Sequence, residues 1–413
     1  MPWKETSAVE ERIRFVMELE RGELSKAALC RRFGISRPTG DKWIRRYEVA
    51  GLHGLDDQSR VALRHPNATP EELAELIVVL RRRYPNWGPK KLRVLLERRY
   101  QEIPWPACST IGEILRRAGL TAPRKLRRRT PPHTQPFAAC DCPNAVWCAD
   151  FKGWFRTGDG TRCDPLTISD AYSRYLLRLQ GMCETREGPV RSLFEATFRQ
   201  YGLPAAIRTD NGAPFASHGI GGLSRLSVWW LKLGIEPERI EPGKPQQNGR
   251  HERMHLTLKQ ETASPAARDM RSQQRVFDEF RVRFNQERPH EALNQNCPAV
   301  VYTCSPREYR EPVEVEYPCG FEVRSVKSNG VFNWRGQVVF LGEALGHERV
   351  GLAEIAEGCW AVYYCRRALG IVDECSRKVY DAGESVRKGM VSASALRSPF
   401  RCAPVAPEGP GNM

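Results

Sequence analysis

The chain has 413 residues, 41% of them hydrophobic, and 64 Lys and Arg against 49 Asp and Glu, a formal charge of +15. That length allows roughly two to four domains with sizeable cores, and the absence of an apolar run of about 18 residues argues against a membrane-spanning helix. The opening Met-Pro-Trp-Lys-Glu-Thr lacks an apolar signal region, so a cytoplasmic, nucleoid-associated location is expected. The fourteen cysteines include no Cys-x-x-Cys pair; they read as free thiols, with no structural zinc.

The positive charge is concentrated early. Residues 1–135 hold 28 Lys and Arg against 16 Asp and Glu, an excess of 12. Such an excess suits a polyanion, because Lys and Arg release counterions when they neutralise phosphates. Residues 1–60 read as a helix-turn-helix DNA-binding domain. Val9, Ile13, Val16, Met17 and Leu19 make the apolar stripe of a first helix. Residues 24–33 form a second helix, Gly34-Ile35-Ser36 the turn with Ser36 as N-cap, and residues 37–49 a third. Trp43, Ile44 and Tyr47 face inward, leaving Arg37, Thr39, Lys42, Arg45 and Arg46 for DNA.

Residues 61–122 read as a second helix-turn-helix-like domain. Thr69-Pro70-Glu71-Glu72 is a helix start, and Trp87-Gly88-Pro89-Lys90-Lys91-Leu92 opens the next helix, with Lys90 and Lys91 as candidate DNA contacts. Residues 123–143 form a basic, Pro-rich linker in which Arg124, Lys125, Arg127, Arg128 and Arg129 suit a phosphate backbone.

From Ala145 the pattern turns to strands alternating with helices, a mixed α/β layer over 144–310. Strands are expected over 146–155, 166–170, 173–179, 206–209 and 238–240, and helices over 187–201, 223–233, 248–261 and 272–286. Segments 322–326, 330–334, 337–340 and 360–364, joined by Gly turns, predict a small β-barrel domain over 311–375, followed by a flexible tail over 376–413.

Three acids in the central segment carry the chemistry. They are Asp150 in Trp147-Cys148-Ala149-Asp150-Phe151, Asp210 in Arg208-Thr209-Asp210-Asn211-Gly212, and Glu252 in Lys244-Pro245-Gln246-Gln247-Asn248-Gly249-Arg250-His251-Glu252-Arg253. In-line phosphoryl transfer uses two divalent ions, and hard ions prefer carboxylate oxygens. These contexts resemble the catalytic core of the DDE transposases and retroviral-type integrases, specifically the bacterial insertion-sequence transposases. The resemblance runs from about Asn144 to Tyr309 and includes Arg288-Pro289-His290-Glu291, similar to the closing signature of such cores.

The resemblance implies a multidomain protein: N-terminal all-α helix-turn-helix modules, a central α/β RNase H-like integrase core and a C-terminal small β-barrel. It implies a Mg²⁺- or Mn²⁺-dependent transposase with two ions per site, held by Asp150, Asp210 and Glu252. Such an enzyme binds transposon ends, frees 3′-hydroxyls and joins them to target DNA. Lys244 and Lys259 would then touch substrate phosphate, and Asp170 would be structural support. Double-stranded DNA and further copies of the chain are the expected partners. No Gly-x-x-x-x-Gly-Lys-Ser/Thr loop is present, so any ATP-dependent helper would be a separate protein.

His251-Glu252-Arg253-Met254-His255 also spells the His-Glu-x-x-His of zinc proteases. Arg253 inside the helix and the lack of a third ligand in context weigh against that reading. If the acids hold the metal, both histidines are expected to be dispensable for activity. The same motifs are compatible with a DNA-binding regulator that lacks catalysis, and with a nuclease that lacks strand transfer.

Overall fold

In the computed structural model, which describes residues 7–58, 68–121, 139–217, 219–240, 249–374 and 378–382, each of the first three helices starts at a serine. Ser7 accepts from the Glu10 amide ahead of α1 (Ala8–Glu20), Ser25 from Ala28 ahead of α2 (Lys26–Arg32), and Ser36 from Thr39 ahead of α3 (Arg37–Ala50). A side-chain oxygen at this position satisfies an amide that the helix cannot. At Ser7 the bond is reciprocal, since Glu10 accepts from the Ser7 amide. Gly34 makes the turn at φ +64°, a conformation few other residues adopt cheaply.

The chain divides into two units, 1–70 and 71–413. The first is built on Phe15, Val16, Leu29, Cys30 and Leu55, with Trp43, Ile44 and Tyr47 packed against them. The expected stripe on α1 is displaced: Met17 is exposed and Phe15 takes the inward position. Gly40 lets α3 approach its neighbours, for a Cβ there would lie 2.7 Å from Cys30 Sγ and 3.1 Å from Phe15 Cζ. A mid-helix Gly→Ala change ordinarily gains about 1 kcal/mol. Here Gly40→Ala should instead destabilise the unit, by about 1–3 kcal/mol of overpacking. Urea denaturation of the two proteins checks the sign.

The second unit begins with α4 (Glu71–Arg83), α5 (Pro89–Arg99) and α6 (Cys108–Arg117). Ile77, Trp87, Leu92, Leu96, Ile111 and Leu115 form their shared core. These helices dock onto the loop after the last long helix of the core. Tyr84 donates to Glu287 at 2.6 Å, Lys90 pairs with Glu291 at 2.8 Å, and Arg98 donates to the Gln295 carbonyl at 2.7 Å.

The central sheet explains the placement of the acids. Its strands are β1 (Val146–Phe151), β2 (Phe155–Arg156), β3 (Arg162–Asp170), β4 (Leu176–Met182), β5 (Ala206–Thr209) and β6 (Glu236–Arg239). β4, β3 and β1 are antiparallel neighbours, β1, β5 and β6 run parallel, and β2 pairs with the start of β3. One face is covered by α7 (Glu187–Tyr201) and α8 (Arg225–Lys232), through Phe194, Phe198, Trp229 and Trp230 against Trp147, Ala149, Leu166 and Ile168. The other receives α9 (Gly249–Thr262) and α10 (Met270–Gln286), through Met254, Leu258, Phe277 and Phe280 against Cys163, Leu176 and Leu179. This is the expected mixed α/β layer. The short α11 (Pro298–Val301) follows, and Tyr302 donates to Asn144 Oδ1, tying that segment back to β1.

The C-terminal region holds β7 (Glu322–Ser325), β8 (Val331–Trp334), β9 (Gln337–Phe340), β10 (Arg349–Ala356), β11 (Cys359–Tyr364), β12 (Arg367–Asp373) and β13 (Lys378–Asp381). The expected barrel is not closed. The order β13-β12-β11-β10-β7 is an open sheet, and β8 and β9 form a separate hairpin. The apolar side that closure would have covered packs instead on the core domain: Val228 and Leu231 of α8 share one cluster with Phe332, Trp334, Val350 and Trp360. The expected flexible tail also starts too early, because β13 pairs along β12 from Gly370–Asp381 to Asp373–Lys378. Residues 383–413 lie outside the described residues.

Candidate active site

β1 and β5 carry the first two acids. Their parallel register pairs Val146 with Ala206, Trp147 with Ile207 and Cys148 with Arg208. Continued two residues, that register sets Asp210 beside Asp150. The sixty positions between the two acids are therefore the offset of the strand pair itself. Asp210 follows the last residue of β5 and accepts from the Gly212 amide at 3.1 Å. Asn211 donates to the Ile240 carbonyl at 2.7 Å, fastening the turn. A Cβ at Gly212 would stand 3.1 Å from Asp210 Oδ2, so glycine there keeps the carboxylate uncrowded.

Glu252 lies exposed in the first turn of α9, whose buried residues Met254 and Leu258 seat the helix on the sheet. Asp150 feels both other acids. Burial first, then the negative charge of Asp210, pushes its carboxyl up to about 7; Lys152 opposes the rise and Glu252 adds to it. A buried carboxyl with a second carboxylate's negative charge beside it suits a bound cation, which removes the repulsion. The oxygens of the three acids suit a hard ion such as Mg²⁺ or Mn²⁺, and one ring nitrogen each of His251 and His255 also lies within 4.8 Å of an Asp150 oxygen.

Beneath Asp150 lies a buried polar cluster that joins the two histidines of the His-Glu-x-x-His motif to β3. Thr167 faces Asp150 across the β1–β3 pair and is fully buried. Its Oγ1 donates to the Asp150 carbonyl at 3.0 Å and meets Nε2 of both His251 and His255 at 2.7 Å. Ser169 Oγ lies 3.1 Å from His251 Nδ1. Burial depresses both imidazoles, His251 to about 3 and His255 to about 2, so both are neutral. The histidines are structural, 3% and 5% exposed, and do not reach solvent to touch DNA. Their removal would empty the space between α9 and β3. Neither do they form a protease centre, because both nitrogens of His251 are already engaged. A signal existed in β3, where Leu166 and Ile168 alternate with Thr167 and Ser169, a polar pair on one face of a buried strand. Thr167→Val should leave the facing ring nitrogen of each imidazole without its partner, at about 1–3 kcal/mol each. The shift of the denaturation midpoint measures it.

Asp170 is 1% exposed and accepts from the Asn144 amide, the Ser173 amide and Ser173 Oγ at 2.6–2.8 Å. Those bonds fit the expected structural support. Glu261, at the far end of α9, pairs with buried Arg288 at 3.0 Å, which locks the Arg288-Pro289-His290-Glu291 segment to the helix that carries Glu252.

The candidate DNA contacts divide. Arg37, Lys42 and Arg45 are exposed on α3. Thr39 is committed to the cap, its hydroxyl 2.8 Å from Ser36 Oγ. Arg46 lies over the Trp43 ring at 5.0 Å, on which Arg12 and Lys42 also converge. Lys90 pairs with Glu291 at an exposed site, and Lys91 is half-buried, its ammonium lowered to about 8 by burial and then by Arg288. Lys259 is exposed on α9, two turns beyond Glu252. Arg124, Lys125, Arg127, Arg128, Arg129 and Lys244 lie outside the described residues.

Known proteins share these parts. Integrase core domain profiles match residues 141–245 and 233–298. A helix-turn-helix domain profile matches 11–61, a homeodomain-like profile 39–115, and the C-terminal domain of the IS481 family transposases 321–379. The insertion element IS476 39.2 kDa protein of Xanthomonas euvesicatoria is 27% identical over 252 residues, 58% of this chain and 68% of that one. The insertion element IS407 31.7 kDa protein of Burkholderia multivorans is 27% identical over 236 residues, 57% of this chain and 82% of that one. Among solved structures, the HTLV-2 integrase catalytic core domain in complex with magnesium is 13% identical at TM-score 0.29, covering 40% of this chain and 99% of that one. Among the described residues, no helix is long and apolar enough to cross a membrane.

Proposed function

Since the chain is a bacterial insertion-sequence transposase of the integrase superfamily, with an integrase core and helix-turn-helix domains, we propose that it cleaves DNA at the ends of its element and joins the freed 3′-hydroxyls to target DNA. What supports this reading most is the parallel β1–β5 register, which continued sets Asp210 beside Asp150, and with it the raised Asp150 carboxyl, to which burial and then Asp210 and Glu252 contribute. Asp150 and Asp210 would hold divalent ions from the strand side and Glu252 from the helix side. Bound there, two such ions supply Lewis-acid stabilisation of the attacking and leaving oxygens of a phosphodiester. Lys259 would take a neighbouring phosphate, and the Asn211–Gly212 turn would hold Asp210 in place. Pairing two ends would need at least two copies of the chain.

Recognition would lie in the first unit, with Arg37, Lys42 and Arg45 at the start of α3 facing the duplex. The experiment is a strand-transfer assay with the flanking inverted repeats in Mg²⁺ or Mn²⁺. Products joined in neither ion would overturn the reading. A companion titration tests the recognition unit. Lys42→Ala with Arg45→Ala should weaken end binding and lower the slope of log affinity against log salt by about 0.9 for each phosphate no longer neutralised. An unchanged slope in gel shifts would remove these residues from the interface.

A further inference from the structure

Arg288 lies where three segments of the chain meet. It donates to Glu261 of α9 at 3.0 Å and to Thr257 Oγ1 at 3.4 Å, and its guanidinium lies 6.0 Å from the centre of the Trp87 ring, just ahead of α5. It is 8% exposed, and its Nε has no hydrogen-bond partner among the described residues. Thr257 donates in turn to the Arg253 carbonyl at 3.2 Å. Residues 253, 257 and 261 are four apart and share one side of α9, so Arg253 continues the row toward the end of the helix that carries Glu252. Lys91 approaches this row from α5. Arg288 and, less strongly, Arg253 hold its ammonium down, while Glu261 and Glu291 draw it up.

Neither of those acids is spare. Glu261 is shared by Arg288 and Arg283, and Glu291 is paired with Lys90. The side chains of Lys91 and Arg253 form no ion pair among the described residues. His290, half-buried in the same turn as Arg288, feels the surplus: burial and then Lys91, Arg288 and Arg174 push its imidazole down to about 3. Cations gathered at a partly buried place repel one another, and an anion entering among them removes the cost. A phosphate supplies the acceptor oxygens that the Lys91 ammonium and the Arg288 Nε–H lack. We infer that Lys91 of α5 and Arg253 of α9, backed by Arg288, clamp one backbone phosphate of the element-end duplex, so that the second helical module and the catalytic helix grip the same DNA. This rests on the reading that Glu252 acts on DNA, since Arg253 adjoins it. End DNA is favoured over target DNA because α5 belongs to the segment matched by the homeodomain-like profile.

The test replaces single phosphates of the end duplex by neutral methylphosphonates and measures binding to the full chain by fluorescence anisotropy. At one position the replacement should weaken wild type about tenfold, and weaken Lys91→Gln and Arg253→Gln far less, because the opposing charge is already gone. Without DNA, Lys91→Gln should melt at or above wild type, since a crowded charge has been removed. Arg253 is exposed, so Arg253→Gln keeps the binding test valid should Lys91→Gln fail to fold. Variants that lose the same factor as wild type at every phosphate would overturn the clamp. So would a lower melting point for Lys91→Gln with end binding unchanged, the mark of a lysine that only braces the fold. Coupling to a phosphate of the target duplex instead would overturn the assignment to the element end. None of these results touches strand transfer by wild type, whose absence would overturn the underlying reading of the acids.

Discussion

Asp150→Asn, Asp210→Asn and Glu252→Gln should each reduce DNA cleavage and joining by at least roughly a thousandfold while leaving end binding intact. The amides keep the shape of the carboxylates but not the charge that attracts a divalent ion. Losing part of a metal clamp costs several kcal/mol of transition-state stabilisation, and each 1.36 kcal/mol is about tenfold in rate. Binding should survive because the exposed cations of α3 stand in the first unit, while the acids stand on β1, after β5 and on α9. Melting curves should exclude collapse of the fold, since Asp210 and Glu252 sit at a turn and on an exposed helix face. Full strand transfer by any one of the three variants would remove that acid from the assignment. Loss of end binding in all three would mean that the acids hold the protein together instead.

How these acids meet is half legible in the sequence. The contexts around Asp150, Asp210 and Glu252 can be read because each combines a carboxylate with its own local device: a strand, an Asn-Gly turn, the first turn of a helix. The serine caps are legible for the same reason, being local. The pairing of β1 with β5 is not, because a register is decided by long-range packing. Thr167 carries only its alternation with Leu166 and Ile168, and a threonine in a strand is ordinary until the helix laid over it carries two histidines. The surroundings of Lys90 and Lys91 are equally illegible, because Glu291 and Arg288, some two hundred positions later, help to set them. The C-terminal region reads as a self-contained barrel because its strands show Gly turns and alternation. Nothing local reveals that α8 lends Val228 and Leu231 to its core.

The raised carboxyl of Asp150 predicts a stability signature that needs no DNA. Its folded value of about 7 lies above the unfolded value of about 3.9, so the protonated form is favoured in the ion-free fold. The sign follows from proton counting: this group contributes stability that is fully present below pH ~4 and lost as the pH rises through ~7. Between pH 5 and 8 the loss should be about 2–3 kcal/mol. His251, His255 and His290 act in the opposite direction. Burial lowers all three, so the stability gained by keeping them neutral is lost as the pH falls below their unfolded value of about 6.5. The Asp150 contribution is therefore read as the difference between wild type and Asp150→Asn, in which the histidine effects cancel. In chelator, the amide variant should gain on wild type steadily from pH 5 to 8. In saturating Mn²⁺ that gain should shrink or reverse, because an ion that binds only the folded wild type adds stability by mass action. Chemical denaturation at four pH values, with and without Mn²⁺, measures both. A difference that stays flat with pH in chelator would mean that the three acids do not share one field.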